Sequence, residues 1–275
     1  MATALEFMSR PAIDIHGHCG SYAGYPAFKA SLLNAPAQVT AQRARACGIV
    51  TTVVSELSTF DVDDHTPSDV DAGNAMATEA VEQYDNLLFW AVVNPKRDDW
   101  ETKADKLLAH QRCAGVKLHP RWHYWSVADA RYSDRLFAFL HDRGTLTMTH
   151  SGNAGNEPHR FIPWANKYPN ARLILAHIGN DHIDGRPDTQ TNAVGMAEQG
   201  NVWTDTSSSN SIVARIIEKA VEAIGAERIL FGTDTPLYFA ATQKARIAYA
   251  EIDDDAKQKI LHDNAAALLG DAQQR

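Results

Sequence analysis

The chain has 275 residues, of which 44% are hydrophobic and 22% are charged. This composition is typical of a globular protein and excludes a disordered chain, a collagen-like chain and a disulfide-stapled small domain. The formal net charge is −8 and no basic tract occurs, so we expect no nucleic-acid partner. No apolar run is long enough to span a membrane, and the three cysteines are scattered; we therefore expect a cytoplasmic protein without a membrane partner.

Short apolar runs recur along the chain about every 31 residues, which is the length of one strand–helix unit. The runs are nearly continuous rather than alternating, as in parallel strands that helices cover. The eight runs are Ala12–His16, Gly48–Ser55, Leu87–Asn94, Ala114–His119, Gly144–His150, Ala171–His177, Gly200–Thr206 and Arg228–Asp234. Eight such units predict an α/β fold, a single (β/α)8 TIM barrel in one domain over residues 1–275.

Amphipathic segments lie between these runs. Apolar residues at helical spacing predict helices over Asp129–Arg143, Ser211–Ile224 and Ala256–Leu269, with Gly270 as the stop of the last.

A long insertion, Cys19–Pro36, follows the first run and contains Tyr25 among glycines and prolines. As a loop after strand 1, this segment is expected either to cover the barrel mouth as a lid or to form an ordinary surface loop. We expect Cys19 to pack on the face of the strand opposite His18, and not to act as a nucleophile.

Imidazole and carboxylate groups end several of the runs. In a parallel barrel, all these strand ends open onto one face, where barrel enzymes keep their active sites. Each histidine alone would more often be structural, but together the groups supply several nitrogens and one oxygen around one point. This donor set suits Zn, Mn or Fe. The residues are His16, His18, His150, His177 and Asp234.

Four motifs resemble those of the amidohydrolase superfamily, in particular the group with aminocarboxymuconate-semialdehyde decarboxylase-like metal-dependent enzymes. The motifs are Asp14–His18 (DIHGH), Gly115–Pro120 (GVKLHP), Phe231–Pro236 (FGTDTP) and Asp263–Ala266 (DNAA). The likeness covers Ile13–Leu269.

The resemblance implies a role for each of five residues. His16, His18, His150 and Asp234 would hold one divalent metal, zinc in the first place, with manganese or iron as alternatives. His177 would lie beside the metal and polarise the substrate. Asp234 would also accept the proton of a water that the metal activates. Asp234 and His177 are thus the expected catalytic residues.

Lys117 and His119 lie two residues apart at the end of strand 4, so both can face the inside of the barrel. In binuclear relatives, a lysine on this strand is carboxylated and bridges two metals, whereas in the mononuclear branch it is a polar barrel residue. The K-L-H-P form resembles the mononuclear branch. Lys117 and His119 are both candidates for substrate contact, and His119 is nearly as readily explained as a structural histidine.

Further substrate contacts are expected from loop positions. Arg121 stands among aromatic residues after strand 4, which suits a planar or carboxylated substrate, although the aromatics could equally pack the loop. Arg160 after strand 5 and Tyr25 in the insertion are additional candidates. Asp205 and Ser207–Ser209 could line the mouth or cap the next helix.

The residues fit more than one function. The first hypothesis is a metal-dependent hydrolase of a small ester, lactone or amide; the alternative is a metal-dependent decarboxylase of a small unsaturated or aromatic carboxylic acid. Both use the same residues, and the short chain favours hydrolysis because decarboxylase relatives tend to have longer insertions. A non-catalytic binding protein is a third hypothesis. We expect a small-molecule substrate and a monomer or homodimer.

Overall fold

The computed structural model describes residues 2–22, 25–60, 69–208 and 212–273. Its centre is one eight-stranded sheet in which each strand pairs in parallel with the next along the chain. The strands are β1 (Ala12–Cys19), β2 (Ile49–Glu56), β3 (Leu87–Val92), β4 (Cys113–Leu118), β5 (Leu146–Thr149), β6 (Arg172–Leu175), β7 (Val202–Asp205) and β8 (Ile229–Leu230).

The ring of strands closes where the end of the β8 segment meets β1. The Ile15 amide donates to the Phe231 carbonyl at 2.9 Å, and the Asp234 amide donates to the His16 carbonyl at 2.7 Å. Beneath this seam, the buried Asp14 carboxyl accepts hydrogen bonds from the Thr233 amide and hydroxyl, at 3.0 and 2.6 Å. The predicted (β/α)8 barrel is therefore confirmed.

Helices connect the strands. The α-helices are α1 (Ala4–Ser9), α2 (Ala27–Leu33), α3 (Ala37–Ala46), α4 (Val70–Gln83), α5 (Trp100–Leu108), α6 (Ala130–Asp142), α7 (Ile162–Lys167), α8 (Thr189–Gly195), α9 (Ile216–Ile224), α10 (Ala240–Ala248), α11 (Asp254–Gln258) and α12 (Asn264–Gln273), and a π-helical turn, Lys259–Asp263, joins the last two.

Of the predicted helices, the one after strand 4 is confirmed. It is α6, and the Asp129 side chain caps it by accepting from the Arg131 amide. Ser211, the first residue of the predicted helix Ser211–Ile224, lies outside the described residues. The helix itself begins at Ile216, because Arg215 before it has left-handed backbone with φ of 65°. The prediction that Gly270 ends the last helix was wrong: α12 runs on to Gln273, and Gly270 does not take the positive φ that a glycine stop uses.

The core has two parts, one inside the barrel and one between sheet and helices. Inside, Ile13, Trp90 and Leu230 pack with Leu268 of α12. Because α12 contacts strands on opposite sides of the ring, it covers the end at which the strands begin. The opposite end stays open for a site.

The insertion after β1 contains α2, in which no residue is buried. A backbone bridge between Gly20 and Ala35 joins the two ends of the loop. Among the described residues, no helix combines the length and the apolar character needed to cross a membrane.

Candidate active site

His16 and His18 lie two residues apart on β1, so their side chains point to the same side of the strand. Gly17 between them faces the opposite way, where a Cβ atom would come within 2.4 Å of Thr52 Cγ2. Glycine at this position therefore lets β1 approach β2 closely enough to hold both rings in the mouth.

Three donor atoms converge at the open end of the barrel. His18 Nε2 lies 3.0 Å and His16 Nε2 lies 3.7 Å from Asp234 Oδ1. One ligand atom from each of these residues lies within 4.8 Å of the others, and all three residues are buried. Two neutral imidazoles and one carboxylate are a donor set that Zn, Mn and Fe accept.

The other ring nitrogens of these histidines are already bonded. His16 Nδ1 lies 2.9 Å from Asp205 Oδ2, and His18 Nδ1 lies 2.9 Å from Ser55 Oγ. Such partners orient metal-binding imidazoles and fix which nitrogen faces the ion. Both Nε2 atoms are thus directed at one point, and the residues present fit a divalent metal.

His150 lies apart from this group. Its Nε2 is 2.7 Å from Asn153 Oδ1 and its Nδ1 is 3.0 Å from His177 Nε2. Among the described residues, the second possible ligand group joins His16, His177 and Asp205, and it too leaves His150 out. Both ring nitrogens of His150 contact other side chains. That His150 is a metal ligand therefore stays a prediction.

The Lys117 side chain contacts the ring nitrogen of His16 that would bind a metal. Its Nζ lies 2.8 Å from His16 Nε2, and the side chain is fully buried. Burial lowers the pKa of Lys117 to about 8, against the opposing effect of Asp205 and Asp234. A lysine ammonium and a divalent ion therefore compete for the lone pair of His16.

Two carboxylates at the site are kept ionised. Burial alone would raise the pKa of Asp234, but the hydrogen bond from His18 and the nearby His16 and His177 rings lower it well below the usual value. Burial would also raise the pKa of Asp205, but the His16 and His177 rings lower it to about 2. Their negative charge favours a cation at the site.

Backbone strain is concentrated at the site. His177 has φ of 73° and Asp234 has φ of 56°, both in the left-handed region that residues other than glycine rarely adopt. Strained residues of this kind collect at functional sites, where the surrounding structure holds them in place.

A cavity of about 210 Å³ lies over these groups. Its walls join charged and aromatic side chains, and in one wall the Trp122, His119 and His150 rings stack in sequence, with centroids 4.5 and 4.2 Å apart. The lining residues include His16, His18, Tyr22, Phe60, Lys117, His119, Arg121, Trp122, His150, His177 and Asp234.

The structure brings most of the predicted substrate contacts together and leaves two out. His119, Lys117 and Arg121 line the cavity, whereas Tyr25 and Arg160 do not. The Tyr25 ring packs on Tyr22 with centroids 4.8 Å apart, and the Lys29 ammonium lies over it at 3.9 Å; Tyr22 and Tyr238 are the tyrosines that line the cavity. Arg160 is exposed and pairs with Glu157 at 2.5 Å. Neither residue lines the cavity, and their part in substrate binding stays a prediction.

The sequence did not predict that Asp205 and Ser207 contact the histidines of the site. No side chain caps α9, which begins after Arg215 in the described part of the chain. Asp205 Oδ2 instead lies 2.9 Å from the His16 ring, and Ser207 Oγ lies 2.8 Å from His177 Nδ1. The available signal was the place of Asp205 at the end of strand 7, next to the other strand ends. Ser209, in the same predicted set, lies outside the described residues.

Cys19 is buried beside Val54 and Phe89, away from the cavity. Burial raises the pKa of its thiol to about 12. Its predicted packing role is confirmed.

The sequence matches the family model described as Amidohydrolase over residues 13–270. The chain belongs to the amidohydrolase family. A search of curated proteins finds no match.

Solved structures with the same fold include three enzymes. A 2,6-dihydroxybenzoate decarboxylase from Rhizobium is 15% identical with a TM-score of 0.73, over 96% of this chain and 99% of that chain. A 5-carboxyvanillate decarboxylase from Sphingomonas paucimobilis is 13% identical with a TM-score of 0.73, over 94% and 99%. A dihydroxybenzoic acid decarboxylase from Polaromonas, with bound manganese and 2-nitroresorcinol, is 16% identical with a TM-score of 0.72, over 95% and 97%. At these identities the likeness shows the fold alone.

Proposed function

We propose that this amidohydrolase-family protein is a metal-dependent decarboxylase of a small aromatic or unsaturated carboxylic acid. The observation on which the proposal rests is the cavity, because a possible metal-binding group forms its floor while Arg121 and flat rings form its walls. Three of the similar structures are decarboxylases of aromatic acids, which supports this alternative over the hydrolase that the short chain favoured.

The cavity walls suit a flat, negatively charged molecule. Arg121 forms no ion pair with any other described residue, so its guanidinium is available for a bidentate bond to a carboxylate. Phe60 and the stacked rings of Trp122 and His119 offer planar surfaces on which an aromatic ring packs. A volume of about 210 Å³ is below that of pockets for drug-sized ligands and suits a single ring.

His16, His18 and Asp234 would hold the metal, with His150 as the predicted further ligand. A divalent ion bound there would supply positive charge for the substrate oxygens and for the electron pair left when the carbon–carbon bond breaks. We propose manganese or zinc, the first because one similar decarboxylase contains it.

Decarboxylation breaks the bond to the carboxyl carbon, releases CO2 and places a proton on the remaining carbon. Asp234 and His177 are the groups at the cavity floor that can take up this proton from solvent and deliver it. Tyr22, Phe60 and Trp122 form an aromatic rim that keeps bulk water from the bond that breaks.

The test is a substrate screen with the protein loaded in turn with manganese and zinc. Hydroxylated benzoates and small unsaturated acids are followed by headspace CO2, and esters, lactones and amides by acid release. We expect CO2 release that is lost with a chelator. Hydrolysis of a lactone or ester without any CO2 release from the acids would reject the proposal in favour of hydrolysis.

A matched pair of arginines checks the binding mode. Arg121→Gln should raise KM about tenfold or more, because a hydrogen bond to a charged group contributes about 1.5–3 kcal/mol. Arg160→Gln should leave KM unchanged, since Arg160 pairs with Glu157 outside the cavity. Equal effects of the two substitutions would remove Arg121 from the substrate site.

A further inference from the structure

Ser207 Oγ stands at a junction of three buried side chains. It lies 2.8 Å from His177 Nδ1 and 3.0 Å from His16 Nδ1, and it donates a hydrogen bond to Asp205 Oδ1. Asp205 Oδ1 also accepts from the amides of Ser207 and His177, at 2.8 and 3.3 Å. The second oxygen, Oδ2, lies 2.9 Å from His16 Nδ1.

The number of hydrogens at this junction decides the direction of each bond. An ionised carboxylate only accepts, and a serine hydroxyl has one hydrogen to give. That hydrogen goes to Asp205, so Ser207 Oγ can only accept from the two rings. Both His16 Nδ1 and His177 Nδ1 must then be protonated.

We propose that Asp205 and Ser207 are positioning residues that fix the tautomers of His16 and His177, with hydrogen on Nδ1 and a lone pair on Nε2 in both rings. Through this one carboxylate–hydroxyl pair, β7 and the loop after it set the chemical state of a histidine on β1 and of another after β6.

The contact of His16 with Lys117 agrees with this assignment, and the contact of His177 with His150 agrees with it when the Asn153 amide is turned round. His16 Nε2 faces the Lys117 ammonium at 2.8 Å, which is a donor and needs a lone pair opposite. His177 Nε2 faces His150 Nδ1 at 3.0 Å, so His150 must donate from Nδ1. His150 Nε2 then accepts. The Asn153 atom 2.7 Å from it, placed as Oδ1, must therefore be the NH2 group, because the two ends of an amide are told apart only by their hydrogen bonds.

For the proposed decarboxylase, and only in so far as that proposal is right, the tautomer gives His177 a defined part. It enters the reaction as an acceptor at Nε2, which takes a proton before passing it on. His16 presents Nε2 as a metal ligand whether or not the substrate is present.

The test reads the tautomers directly, without substrate. Protein labelled with 15N-histidine and loaded with diamagnetic zinc is studied by long-range proton–nitrogen NMR, in which protonated and unprotonated ring nitrogens give separate signals. His16→Gln and His177→Gln assign the two rings among the 12 histidines. We expect both wild-type rings to be protonated on Nδ1 alone.

Three substitutions separate positioning from mere packing. Ser207→Ala should move hydrogen from Nδ1 to Nε2 in His177 and leave His16 unchanged, because Asp205 still binds His16 directly. Ser207→Thr keeps the hydroxyl and should restore the wild-type His177 signals. Asp205→Asn should disturb both rings and weaken zinc binding about 10–100-fold, as loss of a partner behind a metal ligand does.

Hydrogen on His177 Nε2 in the wild type, or an unchanged His177 in Ser207→Ala, would overturn the assignment. Correct tautomers in a protein without decarboxylase activity would leave the assignment standing and reject the proposed function only.

Discussion

Gly17→Ala tests how closely β1 must approach β2 to present its two histidines. The new methyl group would lie 2.4 Å from Thr52 Cγ2, about 1 Å closer than the usual carbon–carbon contact. Thr52 is fully buried and its β-branched side chain has few rotamers to escape into. We expect a loss of about 1–3 kcal/mol of stability, as in other overpacked cores.

For a chain of this size, that loss corresponds to a fall in melting temperature of about 2–12 °C, which differential scanning calorimetry measures. Because His16 and His18 flank the substituted residue, metal content by mass spectrometry should fall as well. Thr52→Ser removes only the clashing methyl group and keeps the hydroxyl, so Gly17→Ala with Thr52→Ser should recover most of the stability. Wild-type stability in the single variant, or no recovery in the double variant, would refute the steric argument.

Three further measurements address the site and the core. His18→Ala should lower metal content and activity together, whereas Asp234→Asn should abolish activity with a smaller loss of metal; normal turnover in Asp234→Asn would exclude it as the proton carrier. Lys117→Met should bind one metal per chain at least as tightly as the wild type, since the competing ammonium is gone; the loss of a second metal would instead support a bridging carbamate. Burial raises the pKa of the Cys113 thiol to about 11, so at pH 8 only about one thiol in a thousand is the reactive thiolate. Iodoacetamide should therefore modify the half-buried Cys47 first in the native protein, and prompt labelling of Cys113 would contradict its burial.

The fold could be predicted because its signal repeats. Each unit has an apolar run and an amphipathic segment of similar length, and errors at single boundaries do not change the count. The histidine pair of β1 was equally accessible, because a spacing of two places His16 and His18 on one face of any strand. Because Asp234 ends the eighth apolar run, its position at the same mouth of the barrel could be predicted as well.

What the sequence could not predict depends on side-chain directions and on contacts between distant loops. Arg160 and Tyr25 follow strands as predicted, but Arg160 pairs with Glu157 and Tyr25 packs on Tyr22, and neither lines the cavity. Asp205 has the right place at a strand end, yet its bond to a ring on β1 follows from how the closed barrel brings β7 and β1 within reach of one another. Sequence spacing holds no information on that distance.

The seam between β1 and the β8 segment has a consequence for assembly. The donors His16 and His18 come from the first strand and Asp234 from just beyond the last, so an ion bound by all three would tie the two ends of the barrel together. The complete group cannot exist before the last strand has docked, and a chain truncated before residue 229 would lack it however well its other strands fold. Metal content would then measure the fraction of molecules whose ring is closed. At a free metal concentration 100 times its Kd, the ion would stabilise that closed form by about 2.7 kcal/mol.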